Sequence, residues 1–285
     1  MSDTAVEPKP RRWWSALGVR AGIALAAVGC TPPGPRAPEA ATEALRQQLS
    51  LPAPLSTTLS YLRAGDASGP RVILVHGTPG SATAWSDYLL QPPAGLEIVA
   101  LDRPGFGHSG PEGAMTSLAE QAAAVVALLP ADGRPVVLLG HSLGGPVVAR
   151  VAADHPARVT ALVLLSASLD PAQEEIWMLQ RLGAWAPVRA LLPRTLRNAN
   201  AELIALKPEL EVLATDLPRI TAKTVIVHGT LDDLVPVANV PFMQARLTGV
   251  RCLKTVLLDG ANHFLPWNAE AAVRQAIRTA LEPAC

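Results

Sequence analysis

A serine between two glycines is the strongest chemical signal in the sequence. Ser142 lies in the pattern Gly140-x-Ser142-x-Gly144, directly after a short apolar run and before a segment of helical length. Glycines at these positions let a strand and a helix pass closely, so the pattern predicts a sharp turn that lifts the serine hydroxyl above a sheet. The amide of Leu143 would then face the same space, with the helix dipole behind it. The chemistry that this arrangement predicts is acyl transfer to serine.

A serine hydroxyl becomes a good nucleophile when a base accepts its proton, and six histidines are candidates for that base. We favour His263, because it follows the last predicted strand on a short loop that leads into the final predicted helix. The other five lie in glycine-rich turns, beside the serine turn or at a helix end, where they are expected to shape loops or be solvated: His76, His108, His141, His155 and His228.

The base in turn needs a carboxylate that holds its tautomer and stabilises the imidazolium. Asp232 and Asp233 both follow the apolar run over residues 223–227. Asp170, a few residues past another apolar run, is a further candidate. The residues alone leave this choice open.

The chemistry-bearing residues follow short apolar runs that are continuous rather than alternating, as expected for strands buried on both faces. These runs cover residues 71–75, 96–101, 135–139, 160–165, 223–227 and 254–258. Segments of helical length lie between most of them, over residues 82–90, 116–129, 143–154, 237–247 and 267–281. Ligands of an open parallel sheet bind outside the carboxyl ends of its strands, which is where these residues would meet.

The alternation predicts an α/β fold with a mainly parallel central sheet and helices on both faces. One interval is longer than the others: residues 168–220 separate two strands and carry helical patterning interrupted by prolines. We predict that this insertion forms a small helical cap over the carboxyl edge of the sheet. The predicted α/β domain covers residues 55–285.

The span from about residue 56 to 282 resembles the α/β-hydrolase superfamily, in its order of serine, acid and histidine and in the element Gly229-x-x-Asp232-x-x-Val235-Pro236. The resemblance implies that Asp232 is the acid and that Asp233 is a solvated neighbour or a helix cap. Some members of the family place the acid where Asp170 lies.

Residues 76–80 resemble the oxyanion loop of the same family. The resemblance implies that the backbone amide of Thr78 joins that of Leu143 in stabilising a tetrahedral oxyanion.

Family members that open epoxides or displace halides use an aspartate at the nucleophile turn, and Ser142 argues against both activities. The leading expectation is therefore a serine hydrolase that cleaves a carboxylic ester or similar acyl bond of a small molecule. Two alternatives stay open: serine-assisted chemistry such as carbon–carbon bond hydrolysis or perhydrolysis, and a non-catalytic binding protein of the cell envelope.

The first thirty residues have the pattern of an export signal. Lys9, Arg11 and Arg12 precede an apolar stretch over residues 21–29, which is too short to span a bilayer. The ending at Cys30 resembles a bacterial lipobox, although Ala27 stands where that family usually has leucine. The resemblance implies a lipid-anchored envelope protein with Cys30 as its mature N-terminus. There are two alternatives. The segment is an export signal that is cleaved elsewhere or not at all, or it is unrelated to export.

The proline- and alanine-rich residues 31–54 are predicted to be a tether between the membrane and the domain. If Cys30 carries lipid, Cys252 and Cys285 remain. Cys252 comes just before a predicted strand and Cys285 just after the following helix, which brings both to one end of the layer. This placement suits a disulfide, and two unpaired thiols are the alternative.

The composition of the chain limits which classes of binding partner it suggests. Lys and Arg number 24, as do Asp and Glu, so the chain carries no excess of basic charge that would suggest nucleic acid as a partner. No metal-ligand spacing or nucleotide-binding loop occurs in the sequence, and we expect no cofactor. The sequence does not indicate an oligomeric state.

Overall fold

Strands of the computed structural model, which describes residues 34–283 and Cys285, form one mixed sheet. They are β1 (Arg46–Leu51), β2 (Thr57–Gly65), β3 (Arg71–Val75), β4 (Glu97–Leu101), β5 (Val136–His141), β6 (Ala161–Leu165), β7 (Lys223–Gly229) and β8 (Leu253–Leu258). Their order across the sheet is β1-β2-β4-β3-β5-β6-β7-β8. β2 is antiparallel to β1 and to β4, and the pairs from β4 to β8 are all parallel.

Helices cover both faces of this sheet in the described part of the chain. They are α1 (Glu39–Glu43), α2 (Ser86–Leu90), α3 (Leu118–Val126), α4 (Gly144–Asp154), α5 (Met178–Ala184), α6 (Ala186–Leu191), α7 (Arg194–Asp216), α8 (Asn239–Arg246), α9 (Leu265–Asn268) and α10 (Glu270–Leu281).

Successive residues of a strand point to opposite faces, so each inner strand contributes to two cores. In β3, Ile73 and Val75 pack into the core formed with α3, α4, α7 and α8, whereas Val72 and Leu74 pack into the core formed with α2 and α10. Burial on both sides explains why the inner strands appear in the sequence as continuous apolar runs. The predicted α/β fold with a mainly parallel sheet is confirmed.

The domain begins earlier than we predicted. Residues 46–51, which we assigned to the tether, form β1 and pair with β2. The side chain of Arg46 reaches inward, where its Nη1 lies 2.7 Å from the buried Oδ2 of Asp102. β1 is an edge strand that is largely exposed, so it lacks an apolar run that would distinguish it from a linker.

The insertion between β6 and β7 is helical, as the sequence predicts. It contains α5, α6, α7 and short 3₁₀ turns at Pro171–Gln173 and Leu217–Arg219. Its first residues are bound to the sheet edge: the amide of Ser168 donates to the carbonyl of Ser142 (3.4 Å). Further along, Asn198 Nδ2 donates to the carbonyl of Gly105 (2.8 Å) in the loop after β4. Both ends of the α5–α6 segment are thus held at the carboxyl edge of the parallel strands.

Cys252 and Cys285 are joined by a disulfide. The bond ties the residue before β8 to the end of the chain after α10. The predicted signal segment and Cys30 lie outside the described residues. None of the helices in the described part of the chain is long and apolar enough to cross a membrane.

Candidate active site

Ser142 occupies a tight turn between β5 and α4. Its φ is 55°, in the left-handed region that residues other than glycine rarely adopt. The glycines on either side are required by close approach: a Cβ on Gly140 would lie 2.2 Å from the carbonyl oxygen of Gly144, and one on Gly144 would lie 2.3 Å from that of Val75. Ser142 is half-buried at the carboxyl edge of the sheet. The sharp turn that the sequence predicts is present.

His263 and Asp232 form a buried hydrogen-bonded pair. His263 Nδ1 lies 2.8 Å from Asp232 Oδ2, while Asp232 Oδ1 accepts from the amides of Leu234 (3.0 Å) and Val235 (2.8 Å). Burial acts to raise the pKa of Asp232, but the hydrogen bond and charge of His263 and the amide of Val235 outweigh it, so this pKa lies below its ordinary value. An ionised Asp232 accepts a hydrogen bond from the N–H at Nδ1 of His263. Nε2 of the neutral ring is then free to act as an acceptor.

The other two candidate acids have different surroundings. Asp170 Oδ1 accepts from the amide of Ala172 (3.0 Å), and its Oδ2 accepts from the side chain of Gln173 (3.3 Å). Asp233 is exposed. The structure therefore brings Asp232 to His263, and it places Asp170 and Asp233 elsewhere.

His141, the residue before Ser142, holds the loop that carries His263. Its ring lies 4.7 Å from the ring of His263, and its Nε2 donates to the carbonyl of His263 (3.0 Å). Burial, with a contribution from the neighbouring His263, lowers the pKa of His141 to about 3. A neutral His141 with its proton on Nε2 is the form that this hydrogen bond needs, since a carbonyl oxygen only accepts.

The loop after β3 passes directly over Ser142. A Cβ on Gly77 would lie 2.8 Å from the Cβ of Ser142, so only glycine fits there. The carbonyl of Gly77 accepts from His76 Nδ1 (2.7 Å) and from Arg103 Nη2 (3.0 Å). In a trans peptide the C=O and the following N–H point in opposite directions, so these two donors direct the amide of Thr78 away from themselves.

The amides of Thr78 and Leu143 make no hydrogen bond to any other described residue. The hydroxyl of Thr78 is also buried without a protein partner in the described part of the chain. Buried polar groups without a partner are rare in folded proteins, and beside a candidate nucleophile they are available to a ligand or water. The site thus offers donors on the loop over Ser142 and at the start of α4.

Arg103 organises this region, and our sequence analysis did not identify it. Its guanidinium is fully buried, with Nε donating to the carbonyl of His76 (2.9 Å) and Nη1 paired with Glu202 Oε1 (2.7 Å). Glu202 lies on α7 of the insertion and also accepts from Gln121. The available signal was an arginine two residues after a buried strand, a position where a charged side chain needs a partner.

The comparisons with known proteins agree with this fold. The family model for the alpha/beta hydrolase fold matches residues 70–187. A pimeloyl-[acyl-carrier protein] methyl ester esterase of Citrobacter koseri is 31% identical over 209 residues, which cover 61% of this chain and 80% of that protein. The corresponding enzyme of Aeromonas hydrophila subsp. hydrophila is 27% identical over 231 residues, or 68% and 89% of the two chains.

Among solved structures, a membrane phospholipase A superposes with a TM-score of 0.62 at 20% identity, over 94% of each chain. This likeness concerns the fold. Together with the 31% identical relative, it establishes that the chain belongs to the α/β-hydrolase fold family.

Breaking the buried ion pair of Arg103 should destabilise the fold. Glu202→Gln removes the charge that compensates a fully buried guanidinium, and we expect a loss of about 3 kcal/mol in the free energy of unfolding. Urea denaturation of the variant and the wild type measures this loss. Glu112→Gln is the matched control, because Glu112 is exposed and pairs with Arg197 at the surface; it should cost less than about 0.5 kcal/mol. If the two substitutions lowered the free energy of unfolding equally, Glu202 would not be the partner that compensates the buried charge of Arg103.

The lowered pKa of His141 predicts acid sensitivity. Between its folded pKa of about 3 and the unfolded value of about 6.5, the unfolded chain binds a proton that the native protein does not, so stability falls as the pH falls. One proton corresponds to a slope of about 1.4 kcal/mol per pH unit. His141→Asn should flatten the plot of unfolding free energy against pH by about this slope between pH 6 and pH 4. A variant with the wild-type slope would show that His141 titrates normally.

Proposed function

We propose that this protein is a serine hydrolase that cleaves a carboxylic ester through an acyl-serine intermediate. The observation that carries the proposal is the hydrogen bond between Asp232 and His263, held against the residue that precedes Ser142. The names of the 31% and 27% identical relatives, both methyl ester esterases, support the same reaction class.

In the first half of the proposed reaction, Ser142 Oγ attacks the carbonyl carbon of the ester while its proton passes to Nε2 of His263. Asp232 keeps the other ring proton on Nδ1 and stabilises the imidazolium. The carbonyl oxygen takes up the negative charge and accepts from the amides of Thr78 and Leu143, which have no other partner in the described chain. When the tetrahedral intermediate collapses, the bond to the alcohol oxygen breaks and His263 returns its proton to that oxygen.

In the second half, His263 accepts a proton from water as the water oxygen attacks the acyl carbon. Collapse of this second intermediate breaks the bond to Ser142 Oγ, which regains its proton from His263. The products are a carboxylic acid and an alcohol, and the enzyme is restored. The same donors serve both intermediates because the charged oxygen occupies the same position in each.

A panel of aryl esters with graded acyl chains, together with a fluorophosphonate probe, tests this function on the full chain. We expect the wild type to be labelled and to hydrolyse part of the panel, and Ser142→Ala to be unlabelled and slower by on the order of 10⁴-fold or more. Labelling without ester cleavage would favour carbon–carbon bond hydrolysis or perhydrolysis. Absence of both would favour a binding protein and overturn the proposal.

A pair of isosteric variants is the internal control of this experiment. Asp232→Asn should lower kcat by on the order of 10⁴-fold, because the amide favours the wrong tautomer of His263. Asp170→Asn keeps the acceptor for the amide of Ala172 and should change kcat less than Asp232→Asn by orders of magnitude. If Asp170→Asn were the more damaging change, the roles of the two acids would be reversed.

We further propose that the protein is exported and anchored by a lipid on Cys30. The support is the sequence: basic residues, a short apolar stretch and a cysteine that follows small residues. We expect mass spectrometry of the membrane fraction to find a mature chain that starts at a modified Cys30. An intact chain that starts at Met1 would contradict this proposal.

A further inference from the structure

We propose that the outer surface of α5 and α6 docks onto a bilayer that contains anionic phospholipid. We call this surface, together with the residues just before and between the two helices, the cap patch. It is defined by six apolar side chains that are all exposed: Ile176, Met178, Leu179, Leu182, Trp185 and Leu191. Met178 and Leu191 are each 86% exposed, and Trp185 is 61% exposed. Soluble monomers rarely leave so many large apolar side chains in water within one short segment, and such patches mark interaction sites.

The charge around the cap patch favours a negatively charged partner. Glu174 and Glu175 directly precede this segment, but no Asp or Glu occurs from residue 176 to 201. Four arginines do, of which Arg194 and Arg197 pair with Glu112. Arg181 and Arg189 are exposed and have no ion pair within the described residues. Short amphipathic helices that combine arginine with tryptophan and leucine lie in the interface of anionic bilayers, with tryptophan at the level of the headgroups. The composition of α5 and α6 fits a lipid surface.

A second copy of the chain fits the cap patch less well. A symmetric dimer would place the same surface on both sides of the contact. The interface would then gather Arg181 and Arg189 of both copies, and residues 176–201 hold no carboxylate to pair with them. Like charges at close range oppose association, and a bilayer with anionic headgroups has no such conflict.

The first described residues are held near the edge of the sheet that carries the insertion. The backbone amide of Arg36 donates to Asp87 Oδ2 (3.0 Å), and its Nη2 pairs with Glu270 Oε2 (2.5 Å). Asp87 is in the first turn of α2, and Glu270 is the first residue of α10. Both helices begin beside the loops at the carboxyl edge of the sheet, the edge that also holds the insertion.

Cys30 precedes Arg36 by six residues, a span of at most roughly 20 Å of extended chain. A lipid on Cys30 would therefore keep the carboxyl edge close to the bilayer. With the proposed function, this orientation means that Ser142 receives esters that are dissolved in or held at the membrane. The docking itself does not depend on that chemistry.

The test measures where the protein touches lipid. The full chain with Cys30→Ser receives a single reporter cysteine, labelled with the environment-sensitive fluorophore NBD, at the cap patch (Leu182→Cys) or on β8 (Leu257→Cys). The two leucines are matched, at 50% and 51% exposure. On vesicles of phosphatidylethanolamine and phosphatidylglycerol, we expect a blue shift and a severalfold rise in fluorescence for the label at position 182 and little change at position 257.

A second variant tests the charge argument. Arg181→Gln combined with Arg189→Gln should weaken the response at position 182 by about tenfold in lipid concentration, and vesicles of pure phosphatidylcholine should weaken it similarly. Equal responses at both label positions would mean adsorption through another part of the chain and would overturn the proposal, as would no response at either. A response at position 182 that grows with protein concentration without vesicles would identify a second copy as the partner instead.

Discussion

The site depends on one close approach, that of the Gly77 backbone to the turn at Ser142. β3 and β5 are neighbours in the sheet, so the loops that follow them leave the same edge side by side. A side chain on Gly77 would collide with Ser142, and one on Gly144 would collide with the backbone of β3. Glycine at these positions lets a backbone amide lie close to Ser142, and in the proposed reaction the oxygen of the tetrahedral intermediate would form there. Neighbouring side chains hold the peptide between Gly77 and Thr78 in this position.

Arg103 is the main support of that peptide. Burying a guanidinium is costly, and the cost is offset only when its donors are satisfied and its charge is paired. Here the carbonyls of His76 and Gly77 and the carboxylate of Glu202 meet both conditions. A lysine could not replace it, because a single ammonium lacks the planar fork that reaches two carbonyls and a carboxylate at once. Since Glu202 belongs to the insertion, the same ion pair connects the cap to the loop over Ser142.

The sequence predicted the parts of the fold in which burial leaves a pattern. The inner strands were located to within one or two residues at most ends, because burial on both faces makes each of them continuously apolar. β1 and β2 escaped notice: both are antiparallel, and β1 lies at the edge, so polar residues are tolerated on the solvent side. The role of Arg103 could not be predicted either, because its partners come from distant parts of the chain, 26 and 99 residues away.

The sequence left three candidates for the acid of the site, and the structure selects one of them. The residues alone left Asp170, Asp232 and Asp233 open, since each follows an inner strand. Side-chain direction decides among them: two backbone amides within three residues turn one oxygen of Asp232 inward, and His263 takes the other. Adjacent residues of one loop point in different directions. Asp233 is therefore exposed, although it is the next residue after the buried Asp232.

The early start of the domain changes how an N-terminal anchor would act. A flexible tether over residues 31–54 could extend by roughly 80 Å and would let the domain turn freely. The structure instead binds the chain at Arg36 and places residues 46–51 in the sheet. Only six residues of sequence lead from Cys30 to Arg36, so the proposed anchor would restrict orientation as well as distance. Restricted orientation would give the exposed apolar side chains of the insertion a physical role, because the face that carries them would be held toward the lipid.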